Sequence, residues 1–280
     1  MKFYKIVDSE NGNYGIFHKE GINVSEEIFD PKSNDTKNGI YFHKEDIFSF
    51  AYFGKDVYEV EPLSEVYDSL NKRFKCEKVN LKHIGKLSDL KTIKHLVEDG
   101  ANIHAENNHL FCFACEKGYL DIVKYLVELG VDVKTQEDYP ICLASEYGHL
   151  EVVKFLVKQG ADIHYNYDFP FRYASENGYL EIVKYLAKNG ADIFIRDNYA
   201  LRWSAINGHL EVVKYLVEQG ADIHVEDDCA LRFSALYGYL EIVKYLVSKG
   251  ANVKAISKKF LKEIILSERH DVIEFLKLCK

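Results

Sequence analysis

Residues 208–223 read Gly-His-Leu-Glu-Val-Val-Lys-Tyr-Leu-Val-Glu-Gln-Gly-Ala-Asp-Ile, and closely similar wording returns every 30 residues. Gly118, Gly148, Gly178, Gly208 and Gly238 keep that step, as do Gly100, Gly130, Gly160, Gly190, Gly220 and Gly250. A fixed period of this size is the signature of a stacked-repeat protein. Val212, Val213, Leu216 and Val217 form one apolar stripe at helical spacing. Glu211 falls in the first turn of that helix, where a negative charge favours the dipole. Upstream, Tyr199 to Asn207 reads as a shorter helix with Leu201, Ser204 and Ala205 on one face. Gly208 ends it, because glycine takes the left-handed conformation after a helix without Cβ strain. Asp222 and Ile223 begin an extended connector to the next unit. Neither helix buries its apolar face alone, so stacked neighbours must supply the core.

The same helix–turn–helix–connector unit recurs at 109–130, 139–160, 169–190, 199–220 and 229–250. A weaker copy near 79–100 carries Leu81, Gly85, Leu90, Ile93, Leu96, Val97 and Gly100. Another at 259–280 carries Leu261, Ile264, Ile265, Val272, Ile273 and Leu276. That predicts about seven helix pairs in a mainly α solenoid over 76–280. The atypical end copies serve as caps, and Lys262, Glu263, Glu268, Arg269, Glu274 and Lys277 make the last one polar. Residues 1–75 carry no repeat. Phe3–Val7, Gly39–His43 and Asp56–Val60 read as strands, rich in aromatic and β-branched residues. A helix over 44–53, turns at Asn11-Gly12 and Asp30-Pro31, and a helical junction over 62–78 complete a small N-terminal α/β domain.

A net charge of −8 and a pI near 5.8 argue against nucleic acid as the main partner, which would need clustered positive charge. The N-terminus has no signal-peptide pattern, and no apolar run is long enough to span a membrane. The chain is therefore expected to be intracellular, not secreted and monomeric, with its six cysteines as free thiols.

Tyr199 to Asp222 reads Y-A-L-R-W-S-A-I-N-G-H-L-E-V-V-K-Y-L-V-E-Q-G-A-D. This resembles, position by position, the ankyrin repeat, T-P-L-H-x-A-A-x-x-G-H-x-x-x-V-x-x-L-L-x-x-G-A-D. The residue usage and the 30-residue step are similar to ankyrin proteins of giant DNA viruses of amoebae, whose host cytoplasm or nucleus would then be the compartment. The wording of 1–75 also looks like a small domain found ahead of such arrays. Two departures matter. The family step is about 33 residues, so the connectors that form β-hairpin fingers in the family should be reduced here to short fingers or simple turns. The Thr-Pro-Leu-His box is lost: Cys112, Cys142, Arg172, Arg202 and Arg232 stand at its histidine position, so the hydrogen bonds made there must be replaced.

Candidate chemistry is sparse. Cys112-Phe-Ala-Cys115 is a lone C-x-x-C, and Cys115 occupies the small core position of Ser145, Ser175, Ala205 and Ala235. His104, His164 and His224 are two repeats apart, beyond metal-ligand reach, and read as turn histidines. His18, Glu20, His43, Glu45 and Asp46 in the N-terminal segment show no acid–base spacing. No catalytic residue, cofactor site or metal site is expected. Lys124, Lys154, Lys184, Lys214 and Lys244, each three residues after an acid, predict a solvated outer face.

Phe113, Leu143, Tyr173, Trp203 and Phe233 share one position of the inner helix. They either wedge between helices or contact a partner. One turn on lie Glu146, Tyr147, Glu176, Asn177, Ile206, Asn207, Leu236 and Tyr237, which vary between copies. The resemblance implies that this second set faces the concave side where such arrays bind proteins. The expected role is a non-enzymatic protein–protein interaction scaffold that takes a protein partner, such as a host protein, on Glu146, Tyr147, Tyr173, Glu176, Asn177, Trp203, Ile206, Asn207, Phe233, Leu236 and Tyr237. One alternative makes the array a targeting arm for a catalytic or ligand-binding N-terminal domain. A weaker one makes the protein a virion structural component.

Overall fold

A computed structural model of the chain describes residues 3–7, 21–24, 40–43, 56–69, 73–76 and 78–279. Two compact units divide it, 1–136 and 137–280.

In the first unit, seven described strands form one antiparallel sheet: β1 Phe3–Val7, β2 Gly21–Val24, β3 Ile40–His43, β4 Asp56–Pro62, β5 Tyr67–Ser69, β6 Arg73–Cys76 and β7 Lys78–Lys86. Their order is β2-β7-β4-β1-β3-β6-β5. The three strands expected from aromatic and β-branched runs are β1, β3 and β4. Two expectations are overturned. The supposed helical junction at 62–78 is the β5–β6 hairpin, with Ser69 opposite Arg73. The first helix of a repeat near 79–100 is instead β7, paired with β4 along its length. Val79 and Leu81 are buried while Lys78 and Lys82 are exposed, which is the two-residue alternation of a strand. Leu81 and Gly85 coincide with the 30-residue step, and that coincidence hid it. Opposite the Val57/Tyr58 step, Ile84 is a bulged extra residue. A Cβ on Gly85 would come within 2.0 Å of the Thr92 hydroxyl, so only glycine lets the strand lie this close to the next helix. The anticipated helix at 44–53 and both anticipated turns lie outside the described residues.

After β7 come α1 Leu90–Glu98, α2 Ala105–Lys117 and α3 Leu120–Glu128. Only the second helix of the first repeat exists, so the array has six described helix pairs plus α1 rather than seven. The remaining helices are α4 Thr135–Glu146, α5 Leu150–Lys158, α6 Tyr165–Glu176, α7 Leu180–Lys188, α8 Ile195–Ile206, α9 Leu210–Glu218, α10 Val225–Tyr237, α11 Leu240–Ser248, α12 Lys258–Leu266 and α13 His270–Leu278.

The second unit is built as the periodicity requires. Val212, Val213 and Leu216 are buried, as are Leu201, Ser204 and Ala205 facing them. Serine is tolerated in that dry seam because Ser175, Ser204 and Ser234 each donate to a carbonyl of the preceding helical turn. The glycine between paired helices does more than end a helix. A Cβ on Gly148, Gly178 or Gly208 would fall 2.5, 2.4 or 2.5 Å from the ring of Tyr179, His209 or Tyr239 in the next repeat. The alternating Tyr and His thus lie flat over bare backbone, fixing the spacing of neighbouring repeats. At the C-terminal repeat the pattern loosens: Glu268 takes the left-handed position with φ of 58°, and Leu266 and Leu278 are largely exposed.

Leu156 has no exposed surface. Leu156→Ala is expected to lower unfolding free energy by about 2–5 kcal/mol in urea denaturation. A loss well below that range would contradict the buried stripe.

Candidate functional site

The connectors between repeats are tight turns without strands. The four between α3 and α10 each contain three consecutive left-handed residues: Gln136-Glu137-Asp138, Asn166-Tyr167-Asp168, Arg196-Asp197-Asn198 and Glu226-Asp227-Asp228, with φ between 48° and 60°; the connector after α11 instead makes a 3-10 turn, Val253–Ala255. For an L-residue the left-handed conformation costs about 1–2 kcal/mol, so the turn must be held from outside. Two sets of contacts hold it.

The first is a latch between repeats. The third left-handed residue is always Asp or Asn, and its side chain is buried. In the second unit its oxygen accepts a main-chain N–H 24 residues further on. Asp138 accepts from Asp162 at 2.7 Å, Asp168 from Asp192 at 3.3 Å, Asn198 from Asp222 at 3.2 Å and Asp228 from Asn252 at 2.9 Å. Each of those partners in turn accepts an N–H two residues on, at His164, Phe194, His224 and Lys254. His164 and His224 also reach the latch carboxylates of Asp168 and Asp228, at 2.8 and 3.1 Å. These are the turn histidines the spacing suggested.

The second is arginine at the lost histidine position. Arg172 Nε and Nη2 donate to the carbonyls of Tyr167 and Asn166 at 2.7 and 2.9 Å. Arg202 repeats this on Asp197 and Arg196, and Arg232 Nη2 bonds Glu226. Burial, then the charge of Arg196, pulls the pKa of Arg172 down, while Tyr199, Tyr173 and Asp168 oppose that. In the repeat of α4, the smaller Cys142 contacts only the Asp138 carbonyl, at 3.6 Å.

On this frame sit the candidate binding residues. Tyr173 stacks on Phe169 with ring centroids 3.8 Å apart, and Trp203 on Tyr199 at 5.6 Å. Phe233 meets Phe260 edge-on at 5.4 Å. All three are half-buried, while Phe113 and Leu143 at the same position are buried. The column is therefore part of the wall between inner helices. Arg172 lies over the Tyr199 ring at 4.9 Å and extends that wall. Glu176 is tied down by the Tyr199 hydroxyl at 2.7 Å, and its carbonyl takes Asn207 Nδ2 at 2.9 Å. Burial and the Glu176 hydrogen bond push the Tyr199 phenol above its ordinary value. Glu146, Ile206 and Leu236 are half-buried. Tyr147, Asn177, Asn207 and Tyr237, equivalent positions 30 residues apart, are exposed.

Further exposed aromatics lie on the connectors and inner-helix starts, namely Tyr139, Tyr167 and Phe194. The spacing argument did not single these out. From α4 to α11 the outer helices expose no large apolar residue. Their acids are instead neutralised locally: Lys154, Lys184, Lys214 and Lys244 pair with Glu151, Glu181, Glu211 and Glu241 at 2.7–2.9 Å. The latch residues were legible in principle, since Asn108, Asp138, Asp168, Asn198 and Asp228 keep a strict 30-residue step and Asn and Asp tolerate left-handed backbone.

The other candidates do not assemble into chemistry. Cys112, Cys115, Cys142 and Cys229 are buried free thiols, and burial pushes Cys112 and Cys142 up to about 12. Among the described residues no group of His, Cys, Asp and Glu is placed to hold a metal, and no helix is long and apolar enough to cross a membrane. His18, Glu20, Glu45, Asp46 and the His43 side chain lie outside the described residues. In the first unit a cleft of about 660 Å³ opens beside β7 and α1, rimmed by Lys82, Lys91, Lys94 and His95.

Comparison with known proteins returns the same periodicity. The family model described as ankyrin repeats (3 copies) matches residues 83–168 and 171–257, more than half of the chain. An uncharacterized protein, R869, of Acanthamoeba polyphaga mimivirus is 31% identical over 128 residues, which span 43% of this chain and 93% of that protein.

Two outcomes follow from the turn and thiol geometry. Arg172→Ala should cost about 1.5–3 kcal/mol of stability, and Arg172→Lys should recover little of it, because an ammonium cannot bond two carbonyls as a planar fork. Full recovery by lysine in urea melts would refute the fork. Brief alkylation of the native protein should label exposed Cys279 and spare Cys112, Cys115, Cys142 and Cys229 until denaturant is added, as read by peptide mass mapping.

Proposed function

The chain belongs to the ankyrin-repeat family, and on that premise we propose that it is a non-enzymatic scaffold. Its connector turns and inner-helix ends between Glu137 and Tyr237 bind a partner protein. Ankyrin repeats are protein-binding modules, and one observation supports this choice of surface. In the second unit up to α11, the exposed large apolar side chains, Tyr139, Tyr147, Tyr167, Phe194 and Tyr237, all belong to connectors and inner helices. The outer helices carry locally paired Lys and Glu instead. Aromatic side chains that give up water on contact are typical centres of binding energy. Tyr147 and Tyr237, 47% and 45% exposed, carry the proposal better than the half-buried Tyr173, Trp203 and Phe233, although Tyr237 also stacks on Phe233. Glu176 and Asn207 shape the surface rather than offer free groups. The likeness to a mimivirus protein motivates a host protein as the partner.

The test is affinity purification from amoebal lysate with the full chain and with Tyr147→Ala/Tyr237→Ala. The double variant should keep its far-UV circular dichroism and lose specific co-purifying protein. A folded double variant that retains the same proteins would place binding elsewhere.

A further inference from the structure

We infer that the occupant of this face is a proline-rich segment in the polyproline II conformation, with a cationic side chain at every third residue. The inference rests on the binding face proposed above and adds the chemistry of the partner.

The exposed aromatics come first. Tyr139, Tyr147, Tyr167, Phe194 and Tyr237 are 40–60% exposed. Aromatic-lined surfaces take proline rings and gain from a ligand that is already ordered.

Charge complementarity comes second. Asp162, Asp192 and Asp222 recur at one connector position, and Glu137, Asp197 and Asp227 at another; all six are exposed. Unlike the acids of the outer helices, none of the six has an ion pair among the described residues. The basic side chains beside them are engaged: Arg172 and Arg202 on connector carbonyls, and Arg196 over the Tyr167 ring at 4.5 Å. That last contact already shows a guanidinium seated on an exposed tyrosine of this face.

Spacing selects the conformation. Packed helices lie about 8–10 Å apart, so equivalent acids advance by about that much per repeat. One turn of polyproline II is three residues of about 3.1 Å each, and every third side chain points the same way. In a β-strand, positions three apart point to opposite faces, so a strand of the same charge spacing would present only alternate cations.

The test uses the full chain and a fluorescein-labelled peptide made of four tandem Arg-Pro-Pro units, in fluorescence anisotropy at low ionic strength. A block peptide, with the same arginines gathered at one end and the same prolines at the other, has equal composition and charge. Saturable binding of the first is expected, with the block peptide about fivefold weaker. Asp197→Lys/Asp227→Lys should weaken binding about tenfold or more. The outer-face control Glu181→Lys/Glu211→Lys changes net charge equally and should leave affinity unchanged. Circular dichroism confirms folding, and Asp197→Asn/Asp227→Asn repeats the measurement with a milder change. Absence of binding, equal affinity for the block peptide, or an equal loss in the outer-face variant would each overturn the assignment. Absence of peptide binding alongside intact Tyr147- and Tyr237-dependent capture from lysate overturns only the chemistry of the partner, whereas capture independent of both tyrosines overturns the face itself.

Discussion

A buried carboxylate or amide oxygen under each of the four connectors between α3 and α10, accepting one main-chain N–H from the following repeat, is the contact on which the rest of the array leans. The chain goes from Gly190 to Tyr199 in nine steps, and no strand forms there. The chain turns instead through three left-handed residues, and that conformation does not persist unaided. The latch oxygen and the arginine fork hold it from opposite sides. With the turn fixed, the inner helix starts at a set angle. Pro140 and Pro170 sit in its first turn, where a missing N–H costs nothing. The small seam at Ser204 and Ala205 then meets its neighbour, and the outer stripe of Val212, Val213 and Leu216 closes over it.

The same economy separates the two sides of the array chemically. Outer helices carry the copied Glu–Lys pairs, each worth only a few tenths of a kcal/mol, and thereby present a self-neutralised surface. The connectors do this less regularly. Their side chains are committed inward at the third left-handed position; of those that remain, Glu226 pairs with Arg202 and Arg196 covers Tyr167, while Asp197 and Asp227 are exposed acids. Shortening the connector did not remove the binding side; it concentrated that side on turn residues and helix ends.

Much of this was readable from the chain. The glycine step and the apolar stripe place α3 to α11 correctly, because one repeated unit leaves few ways to bury Leu216 and its equivalents. The failures are where periodicity was trusted beyond its physical content. Leu81 and Gly85 keep the step, yet Val79 and Leu81 alternate with lysines and belong to β7. The aromatic column around Trp203 looked equally suited to packing and to binding, since ring identity does not reveal whether Tyr199 and Arg172 already cover it. The arginine forks were invisible for a different reason: their acceptors are carbonyls, which leave no trace in side-chain sequence. The latch did leave one, in the Asp or Asn that recurs at 108, 138, 168, 198 and 228.

That latch has a consequence for how the array can change length. Its donor is a main-chain N–H, which every residue except proline supplies, and its acceptor is the Asp or Asn at 138, 168, 198 and 228, a position held by Lys258 in the last repeat. Tyr179, His209 and Tyr239 likewise meet the same bare backbone at Gly148, Gly178 and Gly208, and Arg269 takes that place over Gly238. Neither of these two contacts is keyed to a particular neighbour, so with respect to them the central repeats are interchangeable, whereas Tyr199 on Glu176 and Arg202 on Glu226 are particular to their junctions. An in-frame loss or gain of 30 codons among the central repeats joins two ends compatible in latch and glycine cover, and shuffling of units would rewrite the exposed positions while those two contacts re-form.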